Sequence, residues 1–315
     1  MNVPRELISE LIALGPLREG EPLARHTTFG IGGPADAYFV AGSADALGGA
    51  VALCHRHETP FFILGSGSNI LVGDQGIRGV TIENRATEVE GPEPEGDGAA
   101  ELAGTAALVQ AGSGASLAAL ARRLARQGWA GLEWAGGIPG TVGGAVVYNA
   151  GAYGGCLADV LVSVRIGNSQ GERQVPAADL GLTYRASAFT RGLLEGKAVL
   201  SAAFRLLRAD AAQLAERVSE LDRRRLAAQP RGRNAGSIFK NAPEHPAWWL
   251  IEQVGLRGHR AGDAVISPKH CNFFVNAGHA HAADVKALID QARERVMARF
   301  GLELELEVAL VGEGF

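Results

Sequence analysis

The spacing of apolar residues along the chain predicts a mixture of helices and strands. Apolar side chains three and four positions apart predict helices over residues 44–54, 117–127, 210–228 and 283–300. The second helix begins after the capping residue Ser116, and Gly301 is expected to end the last one. Short apolar runs predict strands at 37–40, 61–64, 108–111, 161–166, 198–206 and 302–311. The region up to about residue 83 therefore has the order of a small β-α-β unit.

The last predicted strand alternates strictly between apolar and acidic residues. Its two faces carry Leu302, Leu304, Leu306 and Val308 on one side and Glu303, Glu305 and Glu307 on the other. Acidic residues on the outer face of a sheet are solvated by default. The alternation alone therefore assigns a function to none of the three glutamates.

Glycine is concentrated in three loops that also contain apolar residues. The chain has 43 glycines in 315 residues, about twice the average share of roughly 7 %. The loops lie at 30–33, 65–69 and 137–144, and the second directly follows a predicted strand, an arrangement in which successive N–H groups bind anions. None has the glycine pattern of a Rossmann or P-loop motif. A single tight turn would be an ordinary structural feature, but the three loops together predict a large nucleotide cofactor.

Length and charge narrow the class of protein. A chain of 315 residues is expected to form two or three domains, with a change of composition at Asp210 and a domain boundary near Arg208. The net charge of −4 gives no reason to expect a nucleic-acid partner. No apolar run is long enough for a signal peptide or a membrane span, which predicts a cytoplasmic protein without a membrane partner. The pair His279 and His281 has no further ligand at metal-binding spacing, so we expect no metal site.

A polar, cationic loop at 229–241 interrupts the apolar sequence. A solvated loop is one interpretation. Its Ser237 has Gly236, Lys240 and Asn241 as neighbours, a combination suited to binding an oxyanion and orienting a hydroxyl. The loop lacks the Gly-x-Ser-x-Gly sequence of acyl-transferring serines. A hydroxyl that donates a proton beside cationic groups is the alternative that fits the chemistry.

Nine segments of the chain resemble UDP-N-acetylenolpyruvoylglucosamine reductases and occur in the order of that family. They include Gly-Ile-Pro-Gly-Thr-Val-Gly-Gly at 137–144 and Gly-Ser-x-Phe-Lys-Asn at 236–241. The others are Thr28–Ala35, Leu64–Asn69, Asn149–Gly154, Tyr184–Phe189, Leu250–Gly258, His270–Phe273 and Glu307–Val308. The glycine loops alone resemble a wider flavoprotein superfamily, and the C-terminal segments narrow the resemblance to this reductase.

The resemblance implies an α+β fold. It consists of a two-subdomain FAD-binding fold of the vanillyl-alcohol-oxidase/PCMH type, over residues 1–83 and 84–208, and a C-terminal α+β substrate domain over 209–315. The connection from Gly154 to Tyr184 is short. This implies the compact form of the family, without an extra substrate-covering loop.

The resemblance also implies an activity. It predicts a monomeric cytoplasmic oxidoreductase with noncovalent FAD and with NADPH as co-substrate. The expected reaction reduces UDP-N-acetylglucosamine enolpyruvate to UDP-N-acetylmuramate, a step of peptidoglycan synthesis that serves cell-wall biogenesis, cell shape and cell division. An FAD-dependent sugar or lactone oxidase is the nearest alternative, and a nonenzymatic nucleotide-binding regulator is the alternative from another class.

Residue roles follow from the resemblance motif by motif. It places the catalytic residues at Arg185, Ser237 and Glu307, and substrate contacts at Tyr153, Lys240 and Asn241. The implied cofactor-binding residues are Gly65, Ser66, Gly67, Ser68, Asn69, Gly137, Ile138, Gly140, Thr141, Gly143 and Gly144.

Overall fold

The N-terminal part of the chain forms a four-stranded sheet with two helices. The computed structural model describes residues 3–95, 104–168 and 170–315. The first elements are α1 (Arg5–Leu14), β1 (Leu17–Pro22), β2 (Pro34–Ala41), α2 (Ala44–Arg56), β3 (Phe61–Leu64), β4 (Ile70–Val72) and β5 (Ile77–Asn84). The sheet has the order β1-β2-β5-β3, in which β5 runs parallel to both β2 and β3. The predicted β-α-β unit is therefore present as β2, α2 and β3.

The middle of the chain forms an antiparallel sheet. Its elements are β6 (Val89–Pro94), β7 (Ala106–Gly112), α3 (Leu117–Arg126), β8 (Trp129–Ala130), α4 (Val142–Val147), β9 (Gly151–Ala152), β10 (Gly155–Cys156), β11 (Leu161–Asn168), β12 (Gly171–Pro176) and β13 (Ala198–Arg208). The strand order is β12-β11-β13-β7-β6, and β8 also pairs with β13. As predicted, the Ser116 hydroxyl caps α3 and accepts a hydrogen bond from the Ala119 N–H at 3.3 Å.

The C-terminal part packs helices around a small sheet and then returns to the N-terminal region. It comprises α5 (Ala211–Ala228), α6 (Ala247–Gln253), β14 (Arg260–Ala261), β15 (Ala264–Ile266), β16 (Phe274–Asn276), α7 (Ala282–Phe300) and β17 (Ala309–Val311). Gly301 ends α7 in the left-handed conformation, with φ +67°. Strand β17 pairs in parallel with β4. This pairing brings the end of the chain to the loop that follows β3.

The predicted strand over 302–311 is wrong for residues 302–308, because only 309–311 pair as a strand. The apolar–polar alternation survives in this segment, since Leu304 and Val308 are buried while Glu303 and Glu305 are exposed. Its backbone groups bind scattered partners instead of a neighbouring strand. The Glu305 carbonyl accepts from the Lys240 N–H at 2.8 Å, and the Leu304 carbonyl accepts from Arg293 Nε at 3.0 Å. The chain bends at 307–308, and this bend separates Glu307 from the exposed glutamates before it.

Helix α4 was not predicted, because two of its six residues are glycine and glycine has low helix propensity. Two features compensate. The Thr141 hydroxyl caps the helix by accepting from the Gly144 N–H at 3.3 Å, and Val142 and Val146 are fully buried. Tertiary burial thus overrides local propensity in this loop.

The cores link the three predicted domains. Leu200 of β13 packs with α1 and α2, while Phe29 and Leu71 pack into the C-terminal core. The boundaries after residues 83 and 208 stay a prediction. In the part of the chain that the structure describes, no helix has the length and apolar character needed to cross a membrane.

Candidate active site

A cavity of about 580 Å³ is lined by residues from all three parts of the chain. This volume is within the usual range for cofactor and ligand sites, roughly 300–1,000 Å³. Its wall contains residues 62–70, 138–141 and 143–145, and it also contains Arg185, Ser237 and Glu307. The three predicted catalytic residues, which are far apart in the sequence, are thus brought to one cavity.

The two glycine loops of the cavity wall touch each other. The Ser68 hydroxyl donates to the Pro139 carbonyl at 3.0 Å. A Cβ added at Gly65 would lie 2.7 Å from the Thr141 hydroxyl oxygen, so only glycine allows this approach. Gly67 has φ +61°, and a Cβ there would lie 2.2 Å from the His26 carbonyl oxygen. These contacts fix the two loops as one cradle.

The cradle leaves open space on its cavity side. A Cβ added at Gly140 or at Gly144 would meet a single atom within 4 Å, and that contact is 3.6 Å in both cases. Both residues line the cavity, so the missing side chains leave room for a ligand against the backbone. Apolar walls from Phe62, Ile138 and Val199 accompany this polar cradle. The residues present therefore fit the predicted FAD.

Three predicted site residues lie outside the cavity wall. Gly137 packs against α5, because a Cβ there would lie 2.7 Å from the Asp222 carboxylate. The Lys240 ammonium binds the Glu305 carboxylate. The Asn241 side-chain oxygen accepts from the first N–H of α6 at 3.1 Å. None of the three is among the residues that line the cavity.

Arg185 lies in a tight turn with strained backbone. Thr183 and Ala186 exchange two backbone hydrogen bonds, of 3.0 and 3.1 Å, across Tyr184 and Arg185. Arg185 consequently has φ +51°, a conformation that costs a non-glycine residue on the order of 1–3 kcal/mol. The Asn149 amide holds the turn in place by donating to the Thr183 carbonyl at 2.9 Å.

Two further non-glycine residues beside the site share this left-handed conformation. Asn149 has φ +41° and Tyr153 has φ +54°, and Tyr153 lines the cavity. Strained residues of this kind cluster at active sites, where the surrounding structure over-determines them. The strain therefore supports the assignment of this end of the cavity as the reactive end.

Glu307 and Arg185 form a close ion pair in the cavity. Arg185 Nε lies 2.6 Å from Glu307 Oε1, and Arg185 Nη2 donates to the Gly151 carbonyl at 3.0 Å. Only 16 % of the Glu307 side chain is exposed. Burial raises the pKa of the Glu307 carboxyl, and the charges of Arg185 and Lys240 act in the opposite direction. Since the net direction is upward, burial has the larger effect.

Ser237 lies on an extended segment that is held by the neighbouring residues Asn272 and Phe273. Its backbone pairs with that of Phe273. The buried Asn272 side chain accepts from the Phe239 N–H at 2.9 Å and donates to the Phe239 carbonyl at 2.8 Å. The next residue, Ile238, accepts a backbone bond from Glu307 at 2.8 Å. The serine and the glutamate are therefore held on adjoining segments.

Three further basic residues line the cavity: Lys197, Arg225 and His270. The sequence interpretation missed Lys197 and Arg225, whereas His270 lies in one of the segments that carry the family resemblance. Burial lowers the pKa values of Arg225 and His270. Within the described residues, Arg225 has no ion pair within 4 Å, and His270 Nδ1 is buried without a hydrogen-bond partner. Arg225 lies on the polar face of a long charged helix, where the sequence gives no signal to distinguish it from its solvated neighbours.

Glutamine in place of Glu307 is expected to change the pH dependence of stability. The folded pKa of Glu307 is raised above the ordinary 4.5. The pKa of this carboxyl in the unfolded state is the ordinary one. Between the unfolded and the raised folded pKa, the folded state binds more protons than the unfolded state. The stability of the wild-type protein therefore falls as the pH rises through this window. The Glu307→Gln variant has no titrating carboxyl at this position and therefore does not show this loss of stability. The free energy of unfolding of the variant should therefore rise relative to wild type as the pH increases above 4.5.

Urea unfolding of flavin-loaded, substrate-free protein at several pH values measures this difference. Glu303→Gln, at an exposed position of the same segment, is the control and should show no such trend. A difference between Glu307→Gln and wild type that stays constant with pH would contradict the prediction.

Comparison with known proteins defines the class of this protein. Residues 35–175 match the family model described as "FAD binding domain", which includes the cradle at 65–69 and 138–144. Together with the charged and hydroxyl groups at one end of the cavity, the fold and the site define an FAD-dependent oxidoreductase.

Further comparisons identify the family. Residues 228–311 match the model "UDP-N-acetylenolpyruvoylglucosamine reductase, C-terminal domain". Reductases of that name from Chloroflexus aggregans and Gloeobacter violaceus are 42 % and 40 % identical to this chain; they cover 94 % and 95 % of it, and 97 % of each relative is covered. The crystal structure of the Thermus caldophilus enzyme matches with a TM-score of 0.75 at 33 % identity, over 94 % of this chain and 100 % of that chain. The chain belongs to the UDP-N-acetylenolpyruvoylglucosamine reductase family.

Proposed function

We propose that this protein reduces UDP-N-acetylglucosamine enolpyruvate to UDP-N-acetylmuramate with NADPH. The observation that carries the proposal is the meeting of Arg185, Ser237 and Glu307 in the cavity whose other wall is the glycine cradle. FAD held by the cradle at 65–69 and 138–144 would supply the redox chemistry, the transfer of a hydride from NADPH to the CH₂ carbon of the enolpyruvyl group. The protein must then bind the substrate carboxylate and protonate the neighbouring carbon.

The guanidinium of Arg185 is suited to binding the substrate carboxylate. A guanidinium binds a carboxylate with two parallel N–H donors and stabilises negative charge that develops beside it. Glu307 Oε1 lies 2.6 Å from Nε on one side of this guanidinium. We infer that the substrate carboxylate binds other N–H groups of the Arg185 guanidinium, while Glu307 keeps the guanidinium oriented.

Ser237 is the group suited to proton delivery. Ser237 lines the cavity, and its backbone is fixed by the pairing with Phe273. A serine hydroxyl donates a proton readily only to a strongly basic site, such as a carbon carrying enolate charge. The proton would pass from Ser237 Oγ to the carbon that bears the carboxylate, and the Glu307 charge would support this end of the reaction.

The sugar nucleotide requires a cationic site for its diphosphate. Arg225 meets this requirement, since it lines the cavity and has no ion pair with a described carboxylate within 4 Å. Tyr153, with 42 % of its surface exposed, also lines the cavity. We propose Arg225 and Tyr153 as substrate-binding residues, with Lys240 and Asn241 as residues that hold the serine loop.

One anaerobic experiment tests the proposed function. The purified protein should be yellow, release its flavin on acid precipitation, and be bleached by NADPH. Addition of UDP-N-acetylglucosamine enolpyruvate should restore the colour with one equivalent of product. An oxidase would instead regain its colour with O₂ and not with this substrate, and a nonenzymatic nucleotide-binding protein would show no bleaching.

The cellular setting extends the proposal. We propose that the protein acts as a cytoplasmic monomer in peptidoglycan precursor synthesis, and thereby in cell shape and division. The net charge of −4 supports a small-molecule partner and gives no support to nucleic-acid binding. Sedimentation at micromolar concentration measures the oligomeric state.

A further inference from the structure

Two loops that come from distant parts of the chain must be aligned for the proposed reaction. The cofactor loop is residues 65–69, and the serine loop is residues 229–241. Leu64 and Ile70, which flank the cofactor loop, belong to one core cluster, and Ala235, Ile238 and Phe239 of the serine loop belong to another. After Ser237 the Glu307 backbone links the two loops, since its N–H donates to the Ile238 carbonyl and its carbonyl accepts from the Asn69 amide. Catalytic groups must be held within roughly 0.5 Å of their productive positions. A contact that sets the separation of the two loops would therefore matter for the rate.

Thr28 is hydrogen-bonded to both loops. Its backbone N–H donates to the Gly67 carbonyl at 3.0 Å. Its hydroxyl lies 2.7 Å from the Asn234 carbonyl, to which it donates, and 3.3 Å from the Gly67 carbonyl. Gly67 is part of the cavity wall, and Asn234 is three residues before Ser237. Thr28 thus binds the cofactor loop through its backbone N–H and the segment that carries the serine through its hydroxyl.

The turn that carries Thr28 is itself rigid. The Thr27 hydroxyl closes the turn by donating to the Ile31 carbonyl at 2.9 Å. Phe29 is fully buried, and the Asn276 amide donates to its carbonyl at 3.1 Å. Thr28 therefore holds the two loops from a fixed point.

The serine loop needs such a tether just before Ser237. Gly236 has φ +78°, and a Cβ there would meet nothing within 4 Å, so this point of the loop is unpacked. The Asn234 side chain accepts from the Gly236 N–H at 3.0 Å and so couples the two residues. A bond to the Asn234 carbonyl consequently limits the movement of the backbone that leads to Ser237.

We propose that Thr28 is a positioning residue that sets the distance between the serine loop and the bound cofactor. The inference rests on the proposed function, because it concerns the placement of the proton donor. Thr28 is exposed at the surface, and a solvent-exposed hydrogen bond contributes little to stability. Its contribution is therefore to geometry in the second half of the reaction.

Thr28→Val tests this role, because it removes the hydroxyl at nearly constant shape and keeps the backbone bond to Gly67. Flavin content and the rate of bleaching by NADPH should stay within about twofold of wild type. Reoxidation by the enolpyruvyl substrate should slow by about 10- to 100-fold, the scale of a misplacement of about 1 Å. Thr28→Ser, which keeps the hydroxyl, should recover most of the rate.

Thr27→Val is the matched control, since it removes the neighbouring hydroxyl that bonds only within the turn. It should slow reoxidation much less than Thr28→Val. Equal slowing by both variants, loss of flavin in Thr28→Val, or an unslowed Thr28→Val would each overturn the inference. Substrate affinity, measured from the change in the flavin spectrum on binding, should be unchanged in Thr28→Val. Failure of the proposed function is distinguishable, because the wild-type protein itself would then not be reoxidised by the substrate.

Discussion

Alanine in place of Ser237 is expected to slow reoxidation of the flavin by the enolpyruvyl substrate by about 10²- to 10⁴-fold, the usual effect of losing a general acid. Bleaching of the flavin by NADPH should proceed at close to the wild-type rate. The reason is that the Ser237 hydroxyl is assigned only to protonation of carbon. The fold of the segment should persist, because its backbone is held by Phe273 and by the Asn272 side chain.

Anaerobic stopped-flow measurements of the two half-reactions separate the alternatives. Ser237→Cys should retain more activity than alanine, since a thiol still delivers a proton. Ser219→Ala is the control, because this serine lies on α5 and bonds only to the carbonyl of Ala215. Equal slowing of both half-reactions would indicate a disturbed cofactor site instead. An unslowed second half-reaction would remove Ser237 from the mechanism.

Valine in place of Gly140 is expected to prevent flavin binding. Gly140 has φ +149°, a conformation that β-branched residues avoid. This backbone strain costs about 1–3 kcal/mol. If the loop relaxes to relieve the strain, flavin binding is weakened by the same amount. That amount corresponds to about 5- to 150-fold, since about 1.4 kcal/mol is a tenfold change in affinity. The added side chain would also enter the open space of the cradle, where only Ser68 Oγ lies within 4 Å. The backbone strain and the added side chain are both expected to weaken flavin binding.

The ratio of flavin to protein absorbance after purification, followed by titration with FAD, measures this effect. Gly171→Val is the matched control: Gly171 has φ +110° and nothing within 4 Å, but it lies outside the cavity wall. It introduces comparable backbone strain without touching the cradle and should keep its flavin. Normal flavin content in Gly140→Val would rule out this part of the cofactor assignment.

Regular elements with strong periodicity could be predicted from the sequence. Helix α7 was predicted to within one residue at its start, because buried positions such as Val285, Leu288 and Ala292 recur at helical spacing. Strand β3 was predicted with its observed bounds. Helix α4 was missed, since its stability comes from the Thr141 cap and from buried valines. That information is tertiary and is absent from local propensity.

The candidate site shows the same limit. Periodicity placed Glu307 with the solvated Glu303 and Glu305, and only the resemblance separated it from them. The physical difference is the bend at 307–308, which comes from binding of this segment to Ile238. Similarly, Gly137 belongs to the glycine-rich motif, but its small size serves the packing of α5. A motif gives the residues of a site without saying which of them reach the ligand.

The parallel pairing of β17 with β4 has a consequence for synthesis on the ribosome. Strand β4 follows the cofactor loop directly, yet its partner Ala309–Val311 is translated more than two hundred residues later. The Asn69 amide donates to the Glu307 carbonyl at 3.1 Å, and this hydrogen bond likewise forms only after Glu307 has been synthesised. Contacts between such distant segments form late, because loop closure must precede them. We therefore expect that a nascent chain cannot complete the predicted flavin site before residues 307–311 have emerged, so that cofactor capture follows the synthesis of this segment.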